Sequence, residues 1–190
     1  MTAPHEPAVP GPARHLAAWP TRFTLRALLV AIGVVLVLVT LPLLRSLALR
    51  ENERDALRAL ELLAPLALDP AAGEVPFPQL LEPDGMLCRR LPDTRLLEDG
   101  RVLFHHGYLF EVVQGPRRAP QLRAWPLRHG ETGLGVFWSP GPGELLGHPN
   151  RGARWSGLDA APPVPPEAGT VQLSSGPAGW RPLPALLALR

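Results

Sequence analysis

The chain has 190 residues, a formal net charge of +2 and a single cysteine. All 19 basic residues are arginines and they are scattered along the chain, so neither charge nor clustering indicates nucleic-acid binding. One cysteine excludes an internal disulfide, and we expect Cys88 to be a half-buried apolar residue instead of a nucleophile. If part of the chain crosses a membrane, the remaining residues are enough for one small domain.

The first 45 residues are predicted to form a disordered leader and then a membrane anchor. Residues 1–21 are rich in proline and have no periodic apolar pattern, which is typical of disorder. Within residues 22–45, the run Ala27–Leu44 carries no charge, and as a helix it would span about 27 Å, close to the hydrocarbon core of a bilayer. Arg26 and Arg45 bracket the run and can reach the two headgroup layers. The residues assigned to the predicted anchor are Ala27, Leu28, Leu29, Val30, Ile32, Val34, Leu36, Leu38, Leu41 and Leu44.

Residues 46–69 are predicted to continue the same helix as an amphipathic segment. Apolar side chains recur there at spacings of three and four, while the opposite face carries alternating Arg, Glu and Asp. Pro65 and Pro70 are expected to end the helix. A helix with such a stripe must pack on something, and the chain that follows is the candidate partner.

Residues 70–157 are predicted to form a small antiparallel sheet, which makes the fold class α+β with one long N-terminal helix. The stretch up to residue 100 is interpreted as irregular, with a turn at Asp99-Gly100. The short β-branched or aromatic runs that follow are Val102–Phe104, Tyr108–Val113, Gln121–Pro126, Gly135–Ser139 and Glu144–Leu146. Short connections favour a meander with one face to cover, and we expect the helix stripe to cover it.

Four aromatic residues of the predicted sheet are expected to form one half-buried cluster on that stripe. They are Tyr108, Phe110, Trp125 and Phe137, packed against Leu57, Leu60 or Leu63. Residues 158–190 return to proline and glycine and are predicted to be a disordered tail that folding does not need.

No catalytic, cofactor-binding or metal-binding residues are predicted. His105 and His106 are adjacent in a predicted strand region, so their side chains should point to opposite faces and be unable to chelate one ion. The serines lack a nucleophile-elbow context, and no glycine loop leads into a helix as a phosphate-binding loop would.

The order of elements and several short motifs resemble type IV pilins and type II secretion pseudopilins. The run Phe23-Thr24-Leu25 looks like the start of a mature pilin helix, and Asn52-Glu53 resembles a stretch found later in that helix. In the sheet region, Gly107-Tyr108-Leu109-Phe110 is similar to a "GYxF" motif of a pseudopilin-like subgroup. A second sheet motif of that subgroup matches in order and spacing at Pro126, Gly130, Thr132, Gly133 and Phe137.

The resemblance implies a non-enzymatic, single-pass protein of the bacterial inner membrane with an exported C-terminal domain. Its partners would be the lipid bilayer and other pilin-like subunits or a secretion or pilus assembly platform, with no nucleic acid. The count of arginines on the two sides of the anchor slightly opposes this orientation, which rests on the resemblance.

Two departures from the family pattern leave alternatives open. Arg22 stands where prepilin peptidase needs a small residue, so we expect the leader to stay attached; Ala27 replaces the glutamate that the family uses in assembly. These departures favour a membrane-tethered envelope module that binds a ligand and no longer polymerises. A further alternative is a cleaved signal peptide with Ser46-Leu47-Ala48 as its recognition site.

Overall fold

A computed structural model describes residues 20–68, 76–81, 87, 90–115, 119–152, 154–164 and 179–183, with side chains from Thr24 onward. The chain divides into two compact units, Met1–Leu43 and Leu44–Arg190. The elements are α1 (Pro20–Ala67), α2 (Phe77–Leu80), β1 (Arg95–Leu97), β2 (Val102–His105), β3 (Tyr108–Gln114), β4 (Pro120–Pro126), β5 (Val136–Gly141), β6 (Glu144–His148) and β7 (Arg181–Pro182). Residues 1–19 of the predicted leader and Cys88 lie outside the described residues, while residues 20 and 21, which were assigned to the leader, already belong to α1.

The first unit contributes the apolar half of α1. The side chains of residues 24–43 are all exposed. The hydroxyl of Thr40 donates to the Leu36 carbonyl at 2.8 Å, so this polar side chain is satisfied within the helix. Among the described residues, α1 is the one helix long and apolar enough to cross a membrane, with a mean hydropathy of 2.9 in its most apolar stretch.

The second half of α1 buries an apolar stripe, as its spacing predicts. The buried residues are Ala56, Ala59, Leu60, Leu63, Ala64 and Ala67. Pro65 does not end the helix, which continues to Ala67. Proline removes one backbone hydrogen bond, but the last turn is still held, because Leu68 N–H donates to the Ala64 carbonyl at 3.0 Å and Leu68 itself is buried.

The seven strands of the described residues form one antiparallel sheet in chain order, β1 to β7. The α+β class and the five predicted strands are therefore confirmed, with ends shifted by one or two residues. The Asp99-Gly100 turn is also present, with both residues at positive φ. The short elements α2, β1 and β7 were not predicted, because two to four residues are too few to show a hydrophobic period.

The sheet buries both faces, which corrects the expectation of a single covered face. On the helix side, Tyr108, Phe110 and Phe137 share one core with Leu60 and Leu63 of α1. A second core lies on the opposite face, and we call it the tryptophan core; its buried members are Val102, Leu109, Trp125, Val136, Trp138 and Trp180.

Trp125 does not belong to the helix-side cluster, so that part of the sequence prediction was wrong. Register pairs Trp125 with Leu109, and the preceding Ala124 with Phe110. Because successive side chains of a strand point to opposite faces, Trp125 enters the tryptophan core while Ala124 faces the helix. Its indole N–H donates to the Gly157 carbonyl at 2.7 Å.

The described parts of the predicted tail pack on the sheet, which moves the domain boundary beyond residue 157. Ala161 and Val164 contact the tryptophan core, and Arg123 donates to the carbonyl of Pro162. Trp180 is only 7% exposed, and β7 after it pairs with β6. Residues 165–178 and 184–190 lie outside the described part of the chain.

Candidate functional site

Two polar residues of α1 bind the backbone of the loop before β5, at a place we call the helix–loop junction (Asn52, Glu53 and residues 127–135). The side-chain amide of Asn52 donates to the Thr132 carbonyl at 2.9 Å. Glu53 Oε1 accepts hydrogen bonds from the N–H groups of Leu134 and Gly135, at 3.0 and 2.8 Å. These bonds tie the helix to the loop through main-chain groups that have no strand partner.

The loop also stabilises its own turn. Gly130 N–H donates to the Gly133 carbonyl at 2.8 Å, and the Thr132 hydroxyl accepts from Arg128 N–H at 3.0 Å. Arg45, at the end of the apolar run, donates to the Gly130 carbonyl at 2.7 and 3.2 Å. The loop is therefore held along the helix at residues 45, 52 and 53.

Tyr108 lies beneath this loop and explains one of its glycine positions. Its hydroxyl donates to the Gly135 carbonyl at 3.2 Å. The Gly133 backbone approaches the phenol so closely that a Cβ there would overlap the ring and hydroxyl. Burial, and secondarily the charge of Glu53, raise the pKa of Tyr108 well above its usual value of 10.0, so the phenol stays a donor at neutral pH.

The structure brings together most of the residues that carry the family resemblance. Seven of them form the helix–loop junction or contact it: Asn52, Glu53, Gly107, Tyr108, Gly130, Thr132 and Gly133. Phe110 and Phe137 lie in the core next to it, with the Tyr108 and Phe137 rings 5.7 Å apart. Thr24 and Leu25 belong to the first unit, and the side chain of Phe23 lies outside the described residues.

The arrangement of the helix–loop junction is suited to a structural role. The Asn52 amide and the Glu53 carboxylate are aimed at backbone groups of the loop, and Tyr108 is buried beneath them. A hydrogen bond to a charged group stabilises a protein by about 1.5–3 kcal/mol. The junction can therefore fix the sheet against the helix.

The two adjacent histidines are placed differently from the sequence expectation. Their rings stack, with centroids 4.2 Å apart, because His106 leaves β2 at a φ of 43° and turns its ring back toward His105. His106 Nδ1 lies 3.0 Å from the Asp55 carboxylate, and burial lowers the pKa of His105. Within the described residues, no three acidic, Cys or His side chains are grouped to hold a metal ion.

Sequence reasoning missed a second site, a cleft beside β6 and β7. Its volume is about 720 Å³, and Arg151, Arg154 and Arg181 line it. The wall contains His148, whose Nδ1 accepts a hydrogen bond from the N–H of the fully buried Asn150 at 2.8 Å. The one sequence signal that pointed to this region was Asn150 itself, because asparagine occurs at only two positions of the chain.

Comparison with known proteins does not assign the chain to a family. No protein-family model, no curated protein and no solved structure matches the chain. The resemblance to pilins and pseudopilins therefore depends on the motif residues themselves, most of which lie at or beside the helix–loop junction.

Proposed function

We propose that this is a non-enzymatic, single-pass membrane protein of the bacterial inner membrane with an exported domain. Its role would be that of an accessory component in a type II secretion or type IV pilus-like assembly. The observation that carries this proposal is α1, an uninterrupted helix from Pro20 to Ala67 that is apolar and exposed in its first half. Its second half packs on an antiparallel sheet.

The helix–loop junction supports the same proposal. The motif residues come from three separate segments, 52–53, 107–110 and 130–137, and they meet around one loop. Such a junction would keep the sheet in a fixed position relative to the helix. A component that assembles through contacts of its helix needs this, because its sheet must stay in place when the helix packs on a neighbour.

The two departures from the family pattern oppose the role of a repeated filament subunit, and they leave open both an accessory component and a tethered module that no longer polymerises. Arg22 would prevent the usual processing, and Ala27 lacks the carboxylate that pairs with a freed amine in filaments. The apolar half of α1 would then supply lateral contacts with other helices in the membrane, without head-to-tail assembly chemistry.

Co-purification tests this proposal. The tagged full chain would be extracted in mild detergent, and the recovered proteins would be identified by mass spectrometry. We expect pilin-like subunits or an assembly platform to be enriched. The matched control replaces residues 24–44 by a polyleucine segment of equal length, which keeps the membrane anchor but should abolish the enrichment.

The alternative function is a membrane-tethered ligand-binding module, and the arginine-lined cleft is the observation that favours it. Recovery of the intact chain without any pilin-like partner would contradict the assembly role and favour this alternative. Equal recovery of such partners with the polyleucine control would contradict the role given to the helix.

A further inference from the structure

We propose that the cleft beside β6 and β7 binds an amphipathic phosphate monoester, a molecule with a phosphate headgroup and a short apolar body. This inference goes beyond the proposed assembly role and does not depend on it. It rests on three properties of the cleft: its size and apolar wall, the excess of positive charge among its described lining residues, and the fixed position of its histidine wall.

The cleft has the dimensions and lining of a small-molecule site. Its volume of about 720 Å³ falls within the range of about 300–1,000 Å³ typical of ligand pockets. Leu134, Phe137, Pro149 and Leu183 supply an apolar wall. Such a wall favours a ligand that carries hydrocarbon next to its charged group.

The charge of the cleft is strongly unbalanced. Arg151, Arg154 and Arg181 are exposed, and within the described residues none of them is paired with an acidic side chain. Glu53 also borders the cleft, where its Oε1 accepts from two loop N–H groups, so the described lining has three arginines and one carboxylate.

A phosphate monoester matches this charge better than a carboxylate does. It carries a charge of about −1.5 to −2 at neutral pH and three acceptor oxygens. Guanidinium groups bind such oxygens with paired, parallel hydrogen bonds. Because three arginines line the same cleft, we expect more than one of them to contact a single phosphate headgroup.

The histidine wall of the cleft is held in place before any ligand arrives. The Asn150 N–H fixes the His148 ring through Nδ1, and the ring packs against Trp155 and Trp180 at 4.7 and 5.4 Å. Gly179 passes so close that a Cβ there would lie 2.7 Å from His148 Nε2. A wall fixed in advance lowers the entropy cost of binding.

Calorimetric titration of the full chain in phosphatidylcholine nanodiscs tests the proposal. The titrants are hexyl phosphate, inorganic phosphate and the uncharged hexyl glucoside. We expect hexyl phosphate to bind at least about tenfold more tightly than either of the others, since both the charge and the apolar body contribute. Equal affinity for hexyl phosphate and either comparator would overturn the proposal.

Two variants with the same change in net charge test whether the phosphate binds in this cleft. Replacing Arg151, Arg154 and Arg181 together by Gln should weaken hexyl phosphate binding by about tenfold or more. The control triple Gln variant, at the exposed residues Arg50, Arg90 and Arg95, changes the net charge equally and should bind as the original chain does. Equal affinities of the two triple variants would overturn the assignment to this cleft, and unchanged circular dichroism would show that both fold.

The same preparation distinguishes a lipid from a soluble source of the phosphate. If membrane lipid is the ligand, phosphatidic acid in the nanodiscs will compete and weaken hexyl phosphate binding in the original chain. If the ligand is soluble, phosphatidic acid will leave that affinity unchanged. Either result supports a phosphate-monoester site, provided that the arginine dependence holds.

Discussion

The carboxylate of Glu53 in α1 accepts a hydrogen bond of 2.8 Å from the backbone N–H of Gly135, the residue before β5. The same oxygen also accepts from the neighbouring N–H in the loop. Glu53 therefore differs from the exposed, ion-paired acidic residues of the same helix, because it binds the main chain of the loop that leads into the sheet. This contact makes the helix and the sheet one mechanical unit within residues 44–190.

Replacing Glu53 by Ala should lower the free energy of unfolding of the sheet domain by about 1.5–3 kcal/mol, because two backbone N–H groups lose a charged acceptor. Urea denaturation of the solubilised full chain, followed by circular dichroism, measures this. The control is Glu51→Ala on the exposed face, where ion pairs are about half exposed and should contribute no more than about 1 kcal/mol. Equal losses in the two variants would contradict the role of Glu53.

Gly133→Ala should destabilise the domain by about 1–3 kcal/mol, because the added methyl group overlaps the Tyr108 phenol and forces the loop to move. Gly141→Ala is the matched control, since a Cβ at that position meets no atom within 4 Å. Differential scanning calorimetry should show a lower Tm for the first variant only. A Tm for Gly133→Ala equal to that of the control would show that the loop does not pack on Tyr108.

The long elements could be predicted from the sequence because their signals are local. The stripe of α1 repeats over several turns, and β3 and β4 each have seven residues with a readable pattern. The side on which Trp125 lies could not be decided that way, because it depends on the register between β3 and β4. That register is a property of two strands together.

The burial of the second face of the sheet could not be predicted, because the segments that cover it show no periodic pattern of apolar residues. Trp155 and Trp180 lie in proline- and glycine-rich sequence and reach the sheet through tertiary contacts alone. The helix–loop junction was accessible only through the resemblance, which named its residues without giving their contacts. The stacking of His105 and His106 depends on the positive φ of His106, which a histidine adopts rarely.

Trp180→Ala should cost about 3–5 kcal/mol of unfolding free energy, the usual range for a buried tryptophan, even though this residue lies in the region we expected to be dispensable. Leu158→Ala is the control, since that side chain is 39% exposed and should contribute about 0.5 kcal/mol. Denaturant unfolding followed by circular dichroism compares them. A negligible effect of Trp180→Ala would restore the prediction of a tail without structural role.

Stability should decrease as the pH falls below about 6.5, the ordinary pKa of histidine, because of His105. Burial and the neighbouring His106 lower the pKa of His105 in the folded state, and Asp55 and Asp93 only partly oppose them. The unfolded chain therefore takes up a proton at a higher pH than the folded chain, so acid favours unfolding. The slope continues until the pH reaches the lowered pKa.

Unfolding free energies at pH 7.5 and 5.5 measure this effect in the original chain and in His105→Gln. The variant should lose less stability between the two pH values than the original chain, whatever its absolute stability. An identical loss in both proteins would show that His105 does not contribute to the pH dependence.

The orientation of the chain in the membrane tests the central proposal most directly. In a Cys88→Ser background, single cysteines would be introduced as Arg95→Cys, at an exposed position of β1, and as Thr2→Cys in the leader. Both would be treated with a membrane-impermeant maleimide in intact spheroplasts. An anchored protein with an exported sheet domain predicts labelling at residue 95 in the membrane fraction, and at residue 2 only after lysis. Labelling at residue 95 only after lysis, or recovery of the full chain in the soluble fraction, would contradict the proposal.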